Sequence, residues 1–238
     1  MLEERDLTCP PYAKSNIPNS GSGGAADQLR HKHATVGCGA FKRRPIEPSL
    51  FRMYYDRGDI PVSLSHSGSA NKVAWAVSPS SVDLHWLLPI FCDGIREKDD
   101  PYRILAIQGT HDLLEANGKK AVAVIPQLII PLKKALNTRD QEVMATTLKV
   151  IQKLLITGPQ AGEALVPYYR QLLPCFNLFI SKRKNLGSGI DYAQRRREDV
   201  AVLIEETLKM LEETGGPDAF INIKYMVPIY ESQVLTGR

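Results

Sequence analysis

Two short runs between residues 62 and 77 alternate with a period of two. Val62 and Leu64 alternate with Ser63 and Ser65, and Val73, Trp75 and Val77 alternate with Ala74 and Ala76. HSGSANK, 66–72, lies between them and is rich in turn formers. Period-two runs around such a turn predict a β-hairpin over about 60–77. From about residue 82 the period changes to that of a helix. Val143, Thr147, Ile151 and Leu154 form one stripe in a helix predicted from about 141 to 156. Val200, Leu203, Ile204, Leu208 and Leu211 do the same in the next long helix. Such stripes are core faces at 3.6-residue spacing. HDLLEANG, KVIQKLLITG and TLKMLEETGG each end in glycine, which predicts helix stops at Gly118, Gly158 and Gly215. TRDQ, 138–141, has the form of a capping box, and Asp100 stands as a capping residue ahead of a first-turn Pro101.

Proline adds a longer period. LLPIFCDGI (87–95), IIPLKKAL (129–136), LLPCFNLFI (172–180) and MVPIYESQVL (226–235) each place two apolar residues before proline and apolar residues after it at helical spacing. An interior proline costs a helix roughly 3 kcal/mol, so its recurrence predicts a repeated bend that curves helices around a core. Pro89, Pro131, Pro174 and Pro228 are 42, 43 and 54 residues apart. The first two intervals match the roughly 40–47-residue period of HEAT and armadillo repeats. The predicted fold class is therefore all-α: an armadillo/HEAT-like α-solenoid of stacked helix pairs, with a short N-terminal β-hairpin. The third interval is too long, and the excess falls in SKRKNLGSGIDYAQRRR, 181–197.

Composition separates a tail from this body. Residues 1–45 contain PNSGSGGAAD and HKHATVGCGAFKRRP and show no periodicity, so they are predicted to be a flexible tail, disordered when alone. Residues 46–238 form one predicted helical-repeat domain. The chain of 238 residues is 43% hydrophobic and 24% charged with net charge +4, which is ordinary globular composition and not that of a dedicated nucleic-acid binder. No apolar run approaches the roughly 18 residues of a membrane span. Cysteines 9, 38, 92 and 175 make no CxxC pair, so reduced thiols and a cytosolic compartment are expected, with Cys92 and Cys175 as small core residues.

Catalytic signals are sparse. There is no GxSxG, GxxxxGK[ST] or HExxH string. GSGGAA, 21–26, imitates a dinucleotide fingerprint without the strand that should precede it. His111–Asp112 reads as a polar helix start, since no nucleophile or ligand set accompanies it. His31 and His33 lack the remainder of a closed metal site, and His85 reads as a helix-flank residue. No enzyme activity, metal or cofactor is expected. The charged feature that stands out is the 181–197 insertion. Lys182, Arg183, Lys184, Arg195, Arg196 and Arg197 face Asp191 alone, six cations against one carboxylate. Lys42, Arg43 and Arg44 form a second cluster where the tail meets the fold. These nine residues are the candidate partner-binding set, suited to an acidic partner within a Debye length of about 10 Å. RNA would want aromatics among the cations, and Tyr192 is alone there.

Several strings go further. FRMYYDRGDIPVSLSH, NKVAWAV, LLPIFCDGI, QGTHDLLEANG, VIPQLIIPLKKALNTRD, ALVPYYRQLLPCFNLF, GSGIDYAQRRRED and AFINIKYMVPIYES resemble the parkin co-regulated protein family, in order, from about Phe41 to Glu231. The resemblance implies an armadillo/HEAT-like fold and a non-enzymatic, structural role in motile cilia and flagella. It implies a place at the inner junction of the axonemal doublet microtubule, contact with tubulin, and help in closing the B-tubule onto the A-tubule. It further implies a second junction protein of β-rich fold as a partner, with chaperones and an adaptor as other associates. The alternative is a soluble helical adaptor for chaperone or cargo proteins. Residues 1 to about 40 match no pattern of the family, and the insertion is more basic than the family resemblance leads one to expect.

Overall fold

A computed structural model describes residues 39–65, 72–158, 160–182 and 199–232. Its first helix, α1, Leu50–Arg57, is one the hydrophobic pattern did not predict. Ser49 caps it by accepting from the Arg52 N–H, and Gly58 closes it at φ 78°. That is a left-handed position where only glycine is free of strain.

The hairpin forms as its alternation requires. β1, Val62–Ser65, pairs antiparallel with β2, Lys72–Trp75, in the register Val62↔Trp75 and Leu64↔Val73. Val77 lies beyond β2 and is exposed. An isolated two-stranded hairpin is marginal in water, and this one is held by the helices. The Val73 N–H donates to Gln108 Oε1, the Trp75 indole N–H donates to Asp112 Oδ2 at 2.8 Å, and the Trp75 ring stacks on Phe91.

Helix α2, Leu84–Gly94, starts at Asp83, whose carboxylate accepts from the His85 N–H. It runs antiparallel to the first half of α3, Tyr102–Asn137. A Cβ on Gly109 would fall 2.1 Å from the Phe91 ring, and one on Gly94 would fall 2.8 Å from Ala106 and Phe51. These glycines bring the helices together. Leu87, Leu88, Phe91, Leu105 and Leu113 fill the seam and are essentially inaccessible. Each contributes about 1.5–3 kcal/mol by leaving water.

The helix stop expected at Gly118 is found one residue earlier: the backbone leaves helical geometry at Asn117 (φ −132°, ψ 27°), and a second helical segment of α3 follows at once. The Asn117 amide donates to the Pro79 carbonyl at 2.6 Å, so the chain before α2 holds the kink. Gly118 instead meets Thr157 of α4, Gln141–Thr157, which returns antiparallel to the second half of α3. The expected stripe Val143, Thr147, Ile151, Leu154 is buried, and Gly158 closes α4 by donating to the Leu154 carbonyl.

The TRDQ capping box is corrected. Thr138 is still in helical conformation, so its hydroxyl bonds back to the Ala135 carbonyl. Arg139 turns the chain at φ 55°, and Asp140 caps α4 by accepting from the Glu142 N–H. Before α3, Pro101 rather than Asp100 occupies the capping position, after a cis peptide bond, with no side-chain cap.

Beyond α4 come short pieces: α5 (Ala161–Leu165), a 3-10 turn (Val166–Tyr168), α6 (Tyr169–Leu172) and a 3-10 stretch (Leu173–Leu178). α7, Val200–Thr214, packs on α4, where the Gln152 amide donates to the Thr207 hydroxyl. It ends at Gly215 as predicted, and Val200, Ile204, Leu208 and Leu211 are buried. α8, Ala219–Met226, is followed by a strap fixed by Tyr230, whose phenol donates to Glu212 at 2.7 Å.

The prolines do not mark one repeated bend. Pro89, Pro126 and Pro131 lie inside helices with helical geometry, Pro174 opens the 3-10 stretch, and Pro228 follows α8 in a turn. The carbonyls left without a donor by Pro89 and Pro131 belong to His85 and Gln127, both exposed residues that water can reach. The molecule is thus mostly helical with one two-stranded sheet.

Candidate basic junction site

One of two compact units spans Phe41–Arg238, so residues 41–45, assigned to the tail by sequence, belong to it. Backbone and side chains both fasten them. The Arg44 N–H donates to the Thr138 carbonyl at 2.9 Å, and the Arg43 guanidinium lies 3.5 Å from Asp140 Oδ2. Phe41 sets its ring edge-to-face against buried Phe179, with centroids 6.0 Å apart. The Lys182 ammonium sits 3.2 Å from the centre of the same Phe41 ring. A cation over an exposed ring is worth about 0.5–1 kcal/mol.

This brings together two basic runs that are far apart in sequence. Lys42–Arg44 and Lys182, the first residue of the second run, meet around Phe41. Among the described residues, Lys42, Arg44 and Lys182 have no carboxylate partner. Arg183, Lys184, Arg195, Arg196 and Arg197 lie outside the described residues, as do Cys9, Cys38, His31, His33 and GSGGAA.

Asp140 organises the cluster. Its side chain is 3% exposed, caps α4, and takes Lys98 in a short contact as well as Arg43. Burial alone would push this carboxyl up. The Lys98 ammonium, the Glu142 N–H and Arg43 outweigh that and hold it below the ordinary carboxylate value. Arg43 is thereby partly neutralised, while Lys42, Arg44 and Lys182 have no such carboxylate among the described residues. Sequence reasoning missed Asp140, Lys98 and Arg139 at this corner because only the α3–α4 turn gathers them. A weak signal existed, since each basic run follows a phenylalanine, Phe41 or Phe179, closely.

The remaining candidates resolve into structural roles. Cys92 is fully buried, and its thiol is pushed up to about 12 by burial and then by Asp93, which makes it a core residue with little thiolate. Cys175 is partly buried and donates to the Leu136 carbonyl. Asp112 is committed to Trp75, and burial, then Lys153, lowers His111 below its ordinary value. Among the described residues no group of three or more His, Cys, Asp or Glu is placed to hold a metal ion, and no helix is long and apolar enough to cross a membrane.

Comparison with known proteins agrees with the strings quoted above. A family model described as Parkin co-regulated protein matches residues 49–232. The mouse (Mus musculus) Parkin coregulated gene protein homolog is 52% identical over 197 residues, spanning 83% of this chain and 82% of its own length. The match covers α1, the hairpin and every helix through α8, and the chain therefore belongs to the parkin co-regulated protein family.

Proposed function

We propose that this protein is a non-catalytic structural component of the ciliary or flagellar axoneme. In this reading it binds tubulin at the inner junction of the doublet microtubule and helps to close the B-tubule onto the A-tubule. It would act beside a second junction protein of β-rich fold, in the cytoskeleton of the cilium. Family membership supplies the starting point. The observation that carries the reading is the meeting of Lys42–Arg44 with Lys182 on one corner, with three cations lacking carboxylate partners among the described residues. Tubulin's outer surface and tails are acidic, and repetition along a polymer lets each contact be weak.

The proposal extends to architecture. α2 with the first half of α3, and the second half of α3 with α4, are two antiparallel helix pairs, and α7 adds to α4. Layers of this kind are what an armadillo/HEAT stack would need, and a stack offers a stiff body with several faces.

Co-sedimentation with microtubules at low salt tests the function. The chain should pellet, and charge reversal at Arg195, Arg196 and Arg197 should reduce pelleting without unfolding. Retention of the wild-type chain in the supernatant, with the junction partner present, would overturn the lattice reading in favour of the soluble adaptor. Unchanged pelleting of the triple variant would remove the insertion from the interface.

A further inference from the structure

A second cationic surface lies on the second half of α3, on α6 and on α8, formed by residues that the basic-run analysis did not single out. From Ala116 to Asn137 the chain has no Asp or Glu. Lys119, Lys120, Ile130, Lys133 and Lys134 are exposed there and recur at intervals that put them on one helix face. Ile130 is 62% exposed. None of the four lysines has a carboxylate partner among the described residues.

One groove adjoins this ridge, and a second shares Arg170 with it. The first, about 550 Å³, runs between the end of α3 (Lys133, Leu136, Asn137) and Arg170, Leu172 and Cys175. The second, about 430 Å³, runs between Val166–Arg170 and Asn222, Tyr225 and Met226 of α8. Arg170 lines both, and neither wall contains an acidic residue. Arg170 is exposed and makes no ion pair among the described residues. Tyr225 and Ile221, four residues apart on one face of α8, are 74% and 67% exposed. A guanidinium with no ion pair among the described residues, set between a mainly apolar trough and a mixed one, is a poor design for solvent alone. It is a good one for a ligand that carries carboxylates and apolar side chains together.

We propose that this face binds an extended acidic peptide of a partner protein. Arg170 takes a carboxylate as a bidentate pair, Lys133 takes a second, and the troughs along Leu136, Leu172, Tyr225 and Met226 receive apolar side chains between them. The amides of Asn137, Gln171 and Asn222 both donate and accept, which suits a peptide backbone. A nucleic acid fits less well, since its affinity rests on many phosphate contacts and the grooves themselves are lined by two cations, Lys133 and Arg170, among uncharged residues. The lining residues include none of Lys42, Arg43, Arg44 and Lys182, on which the lattice reading rests, so different variants test the two and each can fail without the other.

The test uses the full chain and a fluorescein-labelled peptide of Glu-Glu-Leu repeats, followed by anisotropy, with no microtubules present. The peptide should bind saturably, and a Lys-Lys-Leu peptide should not. Arg170→Glu with Lys133→Glu should weaken binding at least about ten-fold, as expected for losing complementary charges at a desolvated contact. Tyr225→Ala should weaken it less, and Lys209→Glu on α7 should leave it unchanged. If the double reversal disturbs the circular dichroism or the melt, Arg170→Gln alone should still lower affinity several-fold. No binding of the acidic peptide, or equal binding by the Arg170 variants, would overturn the proposal. So would an oligonucleotide that binds more tightly than the peptide and is lost with Arg170.

Discussion

Replacing Gly118 by alanine separates two explanations of one residue by the sign of the effect. If Gly118 only stopped a helix, alanine would be stabilising. Gly118 does not have a positive φ, so alanine carries no backbone strain there, and its higher helix propensity is worth about 1 kcal/mol. The structure places a Cβ at this position 2.4 Å from the Thr157 carbonyl oxygen and 2.7 Å from Thr157 Cβ. The oxygen is backbone and cannot rotate away. Helices α3 and α4 must separate by more than half an ångström, and the cost of such overpacking is typically about 1–3 kcal/mol. Net of propensity, Gly118→Ala should destabilise by up to about 2 kcal/mol, which lowers the melting temperature of a domain this size by up to about 8 °C. Urea titration should show a lower midpoint at unchanged slope. Gly58→Ala is the comparison, because a Cβ there meets nothing within 4 Å and only the φ of 78° opposes it, at about 1–2 kcal/mol. A Gly118→Ala protein that melts at or above the wild-type temperature would refute the close approach of α3 and α4.

Three further outcomes follow from buried polar groups and from the domain boundary. Arg96 and Asp93 are both buried and paired at 3.0 Å, and Asp93 also receives the Leu50 N–H at the start of α1. Arg96→Met leaves that carboxylate without its cation and should cost about 3–5 kcal/mol by urea titration, whereas a change below 1 kcal/mol would show that α1 does not depend on the pair. Asp140 has a lowered folded-state pKa, so its contribution is present above the unfolded carboxylate pKa of about 3.9 and fades as the pH falls through the folded value. The stability gap between wild type and Asp140→Asn, measured by urea midpoint, should accordingly be largest near neutrality and shrink below about pH 4; a gap that widens in acid would contradict the ion pairs drawn here. Finally, removing residues 1–40 should leave the melting temperature nearly unchanged, since Phe41–Arg238 is a compact unit by itself; a large fall on differential scanning fluorimetry would place part of the core's support in the tail.

What could be read without coordinates was whatever depends on near neighbours. The alternation around Val62–Ser65 and Val73–Trp75 set the hairpin and which residues share a face, because a slip by one residue would turn Leu64 and Trp75 away from the helices; the pairing Val62↔Trp75 came from the fold. The stripes of α4 and α7 named their buried faces, and Gly158 and Gly215 named their ends. Ser49 and Gly58 would have marked α1 had its short, weakly apolar span been weighed by its caps. The candidate site was legible only in part: Lys42, Arg43, Arg44 and Lys182 were picked out by charge, but not their meeting.

The sequence by itself determined a helical body with one hairpin, a family, and two basic runs. Tertiary structure alone decided that Gly118, beside a helix end, also lets two helices touch, since a string does not show what a glycine packs against. It decided that Asp140 rather than Thr138 caps α4, because the backbone of the turn leaves Thr138 inside the preceding helix. It decided that the prolines do not count repeats, since each is accommodated by its own surroundings. It also joined Phe41 to Phe179 and Lys182, and placed Arg170 between two grooves. Those are contacts between residues distant along the chain, and no local pattern encodes which distant residue a side chain will meet.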